Sequence, residues 1–144
     1  MRFNKITIVG VGLLGGSLGL AVRKRRLAGR VVGFVRRKIS VAECEEAGAV
    51  HEATRDLCHA ADGADLIILC TPLAQMKALF ATMLPAIKRG AIITDVGSVK
   101  AGVVRELEPL AAKAGAHFIG SHPMAGSEKM GVAASRANLF QNAI

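Results

Sequence analysis

Tryptophan and tyrosine are absent from this chain, and its five phenylalanines are the only aromatic residues. Proteins that read unstacked bases offer aromatic faces. No RNP or helix-turn-helix pattern is present either, so nucleic acid is not an expected partner. Cysteine is also scarce. Cys44, Cys58 and Cys70 are odd in number and lack C-x-x-C spacing, which argues against a disulfide framework or a zinc site. Reduced thiols in a cytoplasmic setting are the expectation. No His, Asp or Glu cluster has metal-ligand spacing, so no metal is expected. No apolar run reaches the roughly 18 residues of a membrane span. The opening MRFNKITIVG is charged and then strand-like, unlike the apolar stretch of a secretory signal.

Acidic residues are missing from the first part of the chain. Every charged residue before Glu43 is basic: Arg2, Lys5, Arg23, Lys24, Arg25, Arg26, Arg30, Arg36, Arg37 and Lys38. A net charge of +8 results. Two readings stay open. The cations solvate a face, with Arg23 to Arg26 suiting a helix C-terminus, or they attract an anionic ligand to the N-terminal half.

What the chain does have is apolar substance. At 51% hydrophobic over 144 residues, it can bury a core of one ordinary domain, and disorder is excluded. Short β-branched runs alternate with helical periodicity. Strands are predicted at Ile6–Val9, Val31–Val35, Leu66–Cys70, Ala91–Thr94 and His117–Ile119, with a short one near Ala49–Val50. Helices are predicted over Leu13–Leu27, Ile39–Ala47, Thr54–Ala61, from Leu73 to Met83, and across Val103, Leu107 and Ala111. Strands apolar on both faces and joined by helices make βαβ units. The expected class is α/β with a doubly wound, mainly parallel sheet. The ending ANLFQNAI closes on an apolar residue, and we expect residues 1–144 to be one dinucleotide-binding domain cut from a longer protein.

GVGLLGGSLG follows the first predicted strand and opens the first predicted helix. Gly10, Gly12 and Gly15 fit G-x-G-x-x-G, and the strand–turn–helix context makes it a Rossmann-type dinucleotide loop. Gly10 allows the turn, Gly12 lets backbone approach a pyrophosphate, and Gly15 lets helix and strand pack. Leu13 and Leu14 complete the turn into the helix, whose N–H groups face the phosphates. No Gly-Lys-Ser/Thr follows, so a P-loop is excluded. Two further segments end strands and should line the same crevice. CTP supplies Cys70, Thr71 and Pro72, and TDVGSVK supplies Gly97 and Ser98. Ser98 reads as the N-cap of the next helix or as a site residue, and the first does not exclude the second. Asp95 reads as a turn acid. Lys100 answers an anion or is simply solvated.

IGSHPMAGSE follows the last strand. Its flanking glycines and proline suggest an exposed loop, so His122 is a candidate acid–base group beside a nicotinamide, with Ser98 to orient it. His51, His59 and His117 have no such setting and read as structural.

Together, ITIVGVGLLGGSLGLA, LCTP, TDVGSVK and GSHPMAGSEKMGVAAS resemble the prephenate and arogenate dehydrogenases of tyrosine biosynthesis along nearly the whole chain. The resemblance implies NAD(P)-dependent oxidative decarboxylation of a cyclohexadienol, with His122 contacting the reacting hydroxyl and Ser98 bonded to that histidine and the cofactor. Glu128 would lie near the site mouth on the substrate side. Members are about twice this long. Their helical second half, absent here, makes the homodimer and grips the substrate carboxylates. Prephenate and arogenate stay open. The second strand also lacks the usual terminal acid. Its place is taken by Val35, followed by Arg36 and Arg37. A carboxylate there bonds ribose hydroxyls and repels a 2′-phosphate, whereas guanidinium binds it, so NADP is expected over NAD. The competing readings are a β-hydroxyacid dehydrogenase or imine reductase, and a nucleotide-sensing module without chemistry.

Overall fold

A computed structural model describes residues 2–144. Six strands form one sheet: β1 (Phe3–Val9), β2 (Ala28–Phe34), β3 (Glu52–Thr54), β4 (Leu66–Leu69), β5 (Ile92–Asp95) and β6 (His117–Ile119). Their order is β3-β2-β1-β4-β5-β6, and every neighbouring pair is parallel. The helices are α1 (Leu13–Lys24), α2 (Lys38–Glu46), α3 (Leu57–Ala61), α4 (Leu73–Met83) and α5 (Ala101–Lys113). This is the doubly wound, Rossmann-type α/β architecture expected from the alternation of strands and helices.

Period-two alternation in the strands builds a core on each face of the sheet. Ile67 and Leu69 join Phe80, Met83 and Leu107 beneath α3, α4 and α5. Ile6, Ile8 and Ile68 join Val22, Val31 and Cys44 beneath α1 and α2. Thr7 is the buried polar residue of β1. It is fully buried, and its hydroxyl donates to the carbonyl of Ala60.

Several boundaries differ from expectation. α1 stops at Lys24 because Arg26 turns left-handed (φ 54°) and the Leu27 N–H reaches back to Val22. The short third strand lies at Glu52–Thr54 rather than Ala49–Val50. Ala49 and Val50 are buried, but pairing with β2 begins only at Val32↔Glu52. Helix α3 starts at Leu57, where Asp56 caps it by accepting the His59 N–H at 3.0 Å. His51 is structural, as expected. Its Nδ1 accepts the Val31 N–H at 2.9 Å, and burial with nearby Arg23 and Arg30 lowers its pKa.

Glycine sets how closely α1 lies on the sheet. A Cβ on Gly15 would stand 2.1 Å from the Gly10 carbonyl oxygen, and one on Gly19 would stand 2.1 Å from that of Ala49. Backbone cannot give way as a flexible side chain can. We expect Gly19→Ala to destabilise the fold by about 1–3 kcal/mol, the usual cost of overpacking. Thermal melting checks this, and an unchanged midpoint would show that α1 can lift off Ala49 freely.

Candidate functional site

The strand order reverses between β1 and β4, and an open α/β sheet splits at that point to leave a crevice beyond its carboxyl ends. A cavity of about 340 Å³ lies there. Gly10, Val11 and Gly12 supply one wall, Phe34 to Arg37 and Ser40 a second, and Cys70, Thr71, Pro72 and Gln75 a third. Gly10 adopts φ +94°, and a Cβ on it would meet Thr71 Cγ2 at 2.9 Å. Gly12 is the N-cap of α1 and has open space where a side chain would stand. No acid occupies the first turn of α1 and no side chain caps it, so its N–H groups are free to meet an anion. The Thr71 hydroxyl is buried with no hydrogen-bond partner among the described residues. An orphaned hydroxyl beside uncapped helix N–H groups fits a polar ligand such as a dinucleotide. Leu13 and Leu14 begin α1 and do not line the cavity. Cys70 does line it, but burial, reinforced by the Asp95 carboxylate, pushes its thiol up to about 12. It stays a protonated wall residue, not a nucleophile.

Arg36 is held across the cavity mouth. Its Nη1 donates to Gln75 Oε1 at 2.9 Å, and its carbonyl accepts from Arg55 Nε at 3.1 Å. Arg37 is the N-cap position of α2, whose first turn has no acid. Val35 is only 5% exposed and packs into the core beneath α1 and α2.

The loops after β5 and β6 lie further along the same edge. α5 begins at Ala101, with Lys100 at its N-cap and no side-chain cap. Ser98 is therefore not the helix cap, and it stands exposed in the preceding bend. The helix start is deferred because Asp95 Oδ2 accepts the Gly97 N–H at 2.9 Å, making a local turn. Lys100 is neither free nor simply solvated, because its ammonium pairs with the Asp95 carboxylate. His122 is exposed and lines a hollow of about 380 Å³ with Ser121, Pro123 and Phe140. Among the described residues no hydrogen bond joins Ser98 to His122; Ser121 is the residue that bonds back to β5. Glu128 lines a different hollow, with Ser127, Lys129 and Arg136.

Residues 18–144 match the family model described as "Prephenate dehydrogenase, nucleotide-binding domain". The chain belongs to the prephenate dehydrogenase family. It is 35% identical to the prephenate dehydrogenase of Lactococcus lactis subsp. cremoris over 97% of this chain and 39% of that protein. The crystal structure of A. aeolicus prephenate dehydrogenase in complex with hydroxyphenyl propionate and NAD+ superposes with a TM-score of 0.90 at 29% identity, over 99% of this chain and 49% of that one. Synechocystis arogenate dehydrogenase gives 0.87 at 35% identity, over 96% and 48%. The chain thus spans about 39% of the Lactococcus prephenate dehydrogenase it matches.

Within this prephenate dehydrogenase fold, the geometry adds residues that sequence reasoning passed over. Ser40 and Gln75 line the cavity, yet neither falls in a recognisable motif. Asp95 carried a signal, since it is an ionisable residue closing the β-branched run IIT two positions before glycine. Among the described residues, no group of three or more His, Cys, Asp or Glu is arranged to hold a metal, and no helix is long and apolar enough to cross a membrane.

Proposed function

We propose that this chain is the cofactor-binding, histidine-bearing half of a dehydrogenase that oxidatively decarboxylates prephenate or arogenate, with NADP as its preferred cofactor. One observation carries the reading. A single carboxyl edge of the sheet presents, in order, Arg36 after β2, the glycine loop after β1, Cys70–Pro72 after β4, Ser98 after β5 and His122 after β6. An extended dinucleotide laid along that edge has its phosphates at the α1 N-terminus and its reactive ring toward His122.

Gly10, Gly12 and the first N–H groups of α1 hold the pyrophosphate, with Leu13 and Leu14 contributing their backbone. Thr71 donates its orphaned hydroxyl, while Cys70, Pro72 and Gly97 shape the wall. When bound, the dinucleotide supplies the hydride acceptor. His122 then takes the proton from the substrate hydroxyl as the ring carbon beneath it is oxidised. Ser98 orients the imidazole, and Glu128 stands on the substrate side. Loss of carboxylate as CO₂ makes the ring aromatic. Aromatisation drives the reaction, so the protein's task is orientation and one proton transfer. Arg36, with Arg37 beside it, meets the 2′-phosphate.

Steady-state turnover of prephenate and arogenate by the full-length natural form tests the proposal. Turnover of either with NADP supports it, and turnover of neither overturns it. We also expect residues 1–144 alone to bind dinucleotide yet to turn over at least about 10²-fold more slowly than the full-length form, because orientation is lost. Substrate carboxylates need charge-assisted partners. Lys100 is committed to Asp95, and Lys129 and Arg136 line the hollow beside Glu128. Isothermal titration alongside an activity assay checks both halves of this expectation, and robust activity from the fragment would refute it.

A further inference from the structure

We propose that Asp95 is the positioning residue of this site: its buried carboxylate fixes the loop carrying Ser98 and the loop carrying His122 relative to each other. The proposal rests on the catalytic reading of those two residues.

Asp95 is the last residue of β5 and is 0% exposed. Its Oδ2 accepts the Gly97 N–H at 2.9 Å and the Lys100 ammonium, both on the Ser98 side. Its Oδ1 accepts the Ser121 N–H at 3.2 Å, next to His122. The backbone carbonyl of Asp95 accepts the Ser121 hydroxyl, which in turn receives the Thr94 hydroxyl at 3.1 Å. Both catalytic loops are therefore tied to one residue.

The sheet does not need this arrangement. The β5–β6 register runs Ile92↔His117, Ile93↔Phe118 and Thr94↔Ile119, and stops there. Asp95 takes over where the ladder ends, doing with a side chain what backbone does within the sheet. A buried ion pair is also a poor way to gain stability, because well-packed apolar residues do as well or better. What a carboxylate with several directed donors does provide is fixed geometry. The glycines on either side keep the space tight: a Cβ on Gly97 would lie 2.5 Å from Leu73 Cδ2 and 2.9 Å from Asp95 Oδ2, and one on Gly120 would lie 3.1 Å from Val104 Cγ2 and 3.3 Å from Lys100 Cδ.

A double-mutant cycle in the full-length protein tests this. Asp95→Asn keeps the shape but removes the charge that holds Lys100. We expect kcat to fall by about 10–100-fold, the scale of an ångström-sized misplacement. In the His122→Asn background the same change should cost almost nothing further, because the histidine it positions is already gone. An equal loss in both backgrounds, or a full rate for Asp95→Asn, overturns the proposal. Should Asp95→Asn fail to fold, Lys100→Met takes away the carboxylate's ammonium partner on the Ser98 side. A several-fold fall in kcat that vanishes in the His122→Asn background then supports the proposal, and a full rate overturns it. A His122→Asn protein at the wild-type rate instead removes the catalytic reading itself, and the proposal with it.

Discussion

On the proposed catalytic reading, His122→Asn in the full-length form is expected to lower kcat by about 10²–10⁴, the usual worth of a positioned acid–base group. Asparagine retains a polar group of similar reach but cannot take up the proton. Cofactor affinity should barely move, since His122 lines a hollow separate from the glycine-loop cavity. Measuring kcat and cofactor affinity for both proteins checks the assignment. Near-normal turnover by His122→Asn would remove the histidine from the mechanism.

The second large effect concerns the cofactor. The double change Val35→Asp with Arg36→Ala is expected to move the NADP-to-NAD ratio of kcat/KM by about 10–100-fold toward NAD. Loss of one charged hydrogen bond to the 2′-phosphate accounts for a change of that order. The mechanism has two parts. Alanine removes the guanidinium that Gln75 holds over the cavity mouth. The new carboxylate accepts from ribose hydroxyls and repels a phosphate. Because Val35 is nearly buried, Val35→Asp also costs stability in the free protein. A ratio of efficiencies measured on one folded preparation is insensitive to that cost. Arg36→Ala alone should give part of the same shift. Wild-type preference for NAD, or an unmoved ratio in the double variant, would show that Arg36 does not read the phosphate.

Local chemistry makes part of this molecule legible from its residues alone. The glycine loop can be placed because a strand precedes it and a helix follows it. The six-strand parallel sheet can be read because runs such as Ile67–Leu69 are apolar on both faces. Misreadings arise where a partner distant in the chain decides. Ala49 and Val50 look like strand because they are apolar and buried, yet β2 pairs only with the residues after them. Gly97–Ser98 resembles a helix start, but Asp95 captures the Gly97 N–H first. Gln75 lies 39 positions from Arg36, and Ser121 lies 26 from Asp95. No local propensity encodes such meetings. They exist only after the sheet has brought the strand ends side by side.

The strand order has a consequence for how the chain acquires its structure in time. β1 is flanked by β2 and β4, and its first residue to meet β4, Ile6, must wait for Leu66, a separation of 60 positions. Each such pairing closes a long loop before any contact rewards it, and parallel sheets are slow for that reason. A chain emerging from the ribosome can join β1 to β2 early, but one edge of β1 remains bare until β4 is free. During that interval the exposed row of Ile6 to Val9 is the segment most open to pairing with another chain. Folding yield should therefore depend on how quickly translation delivers residues 66–69.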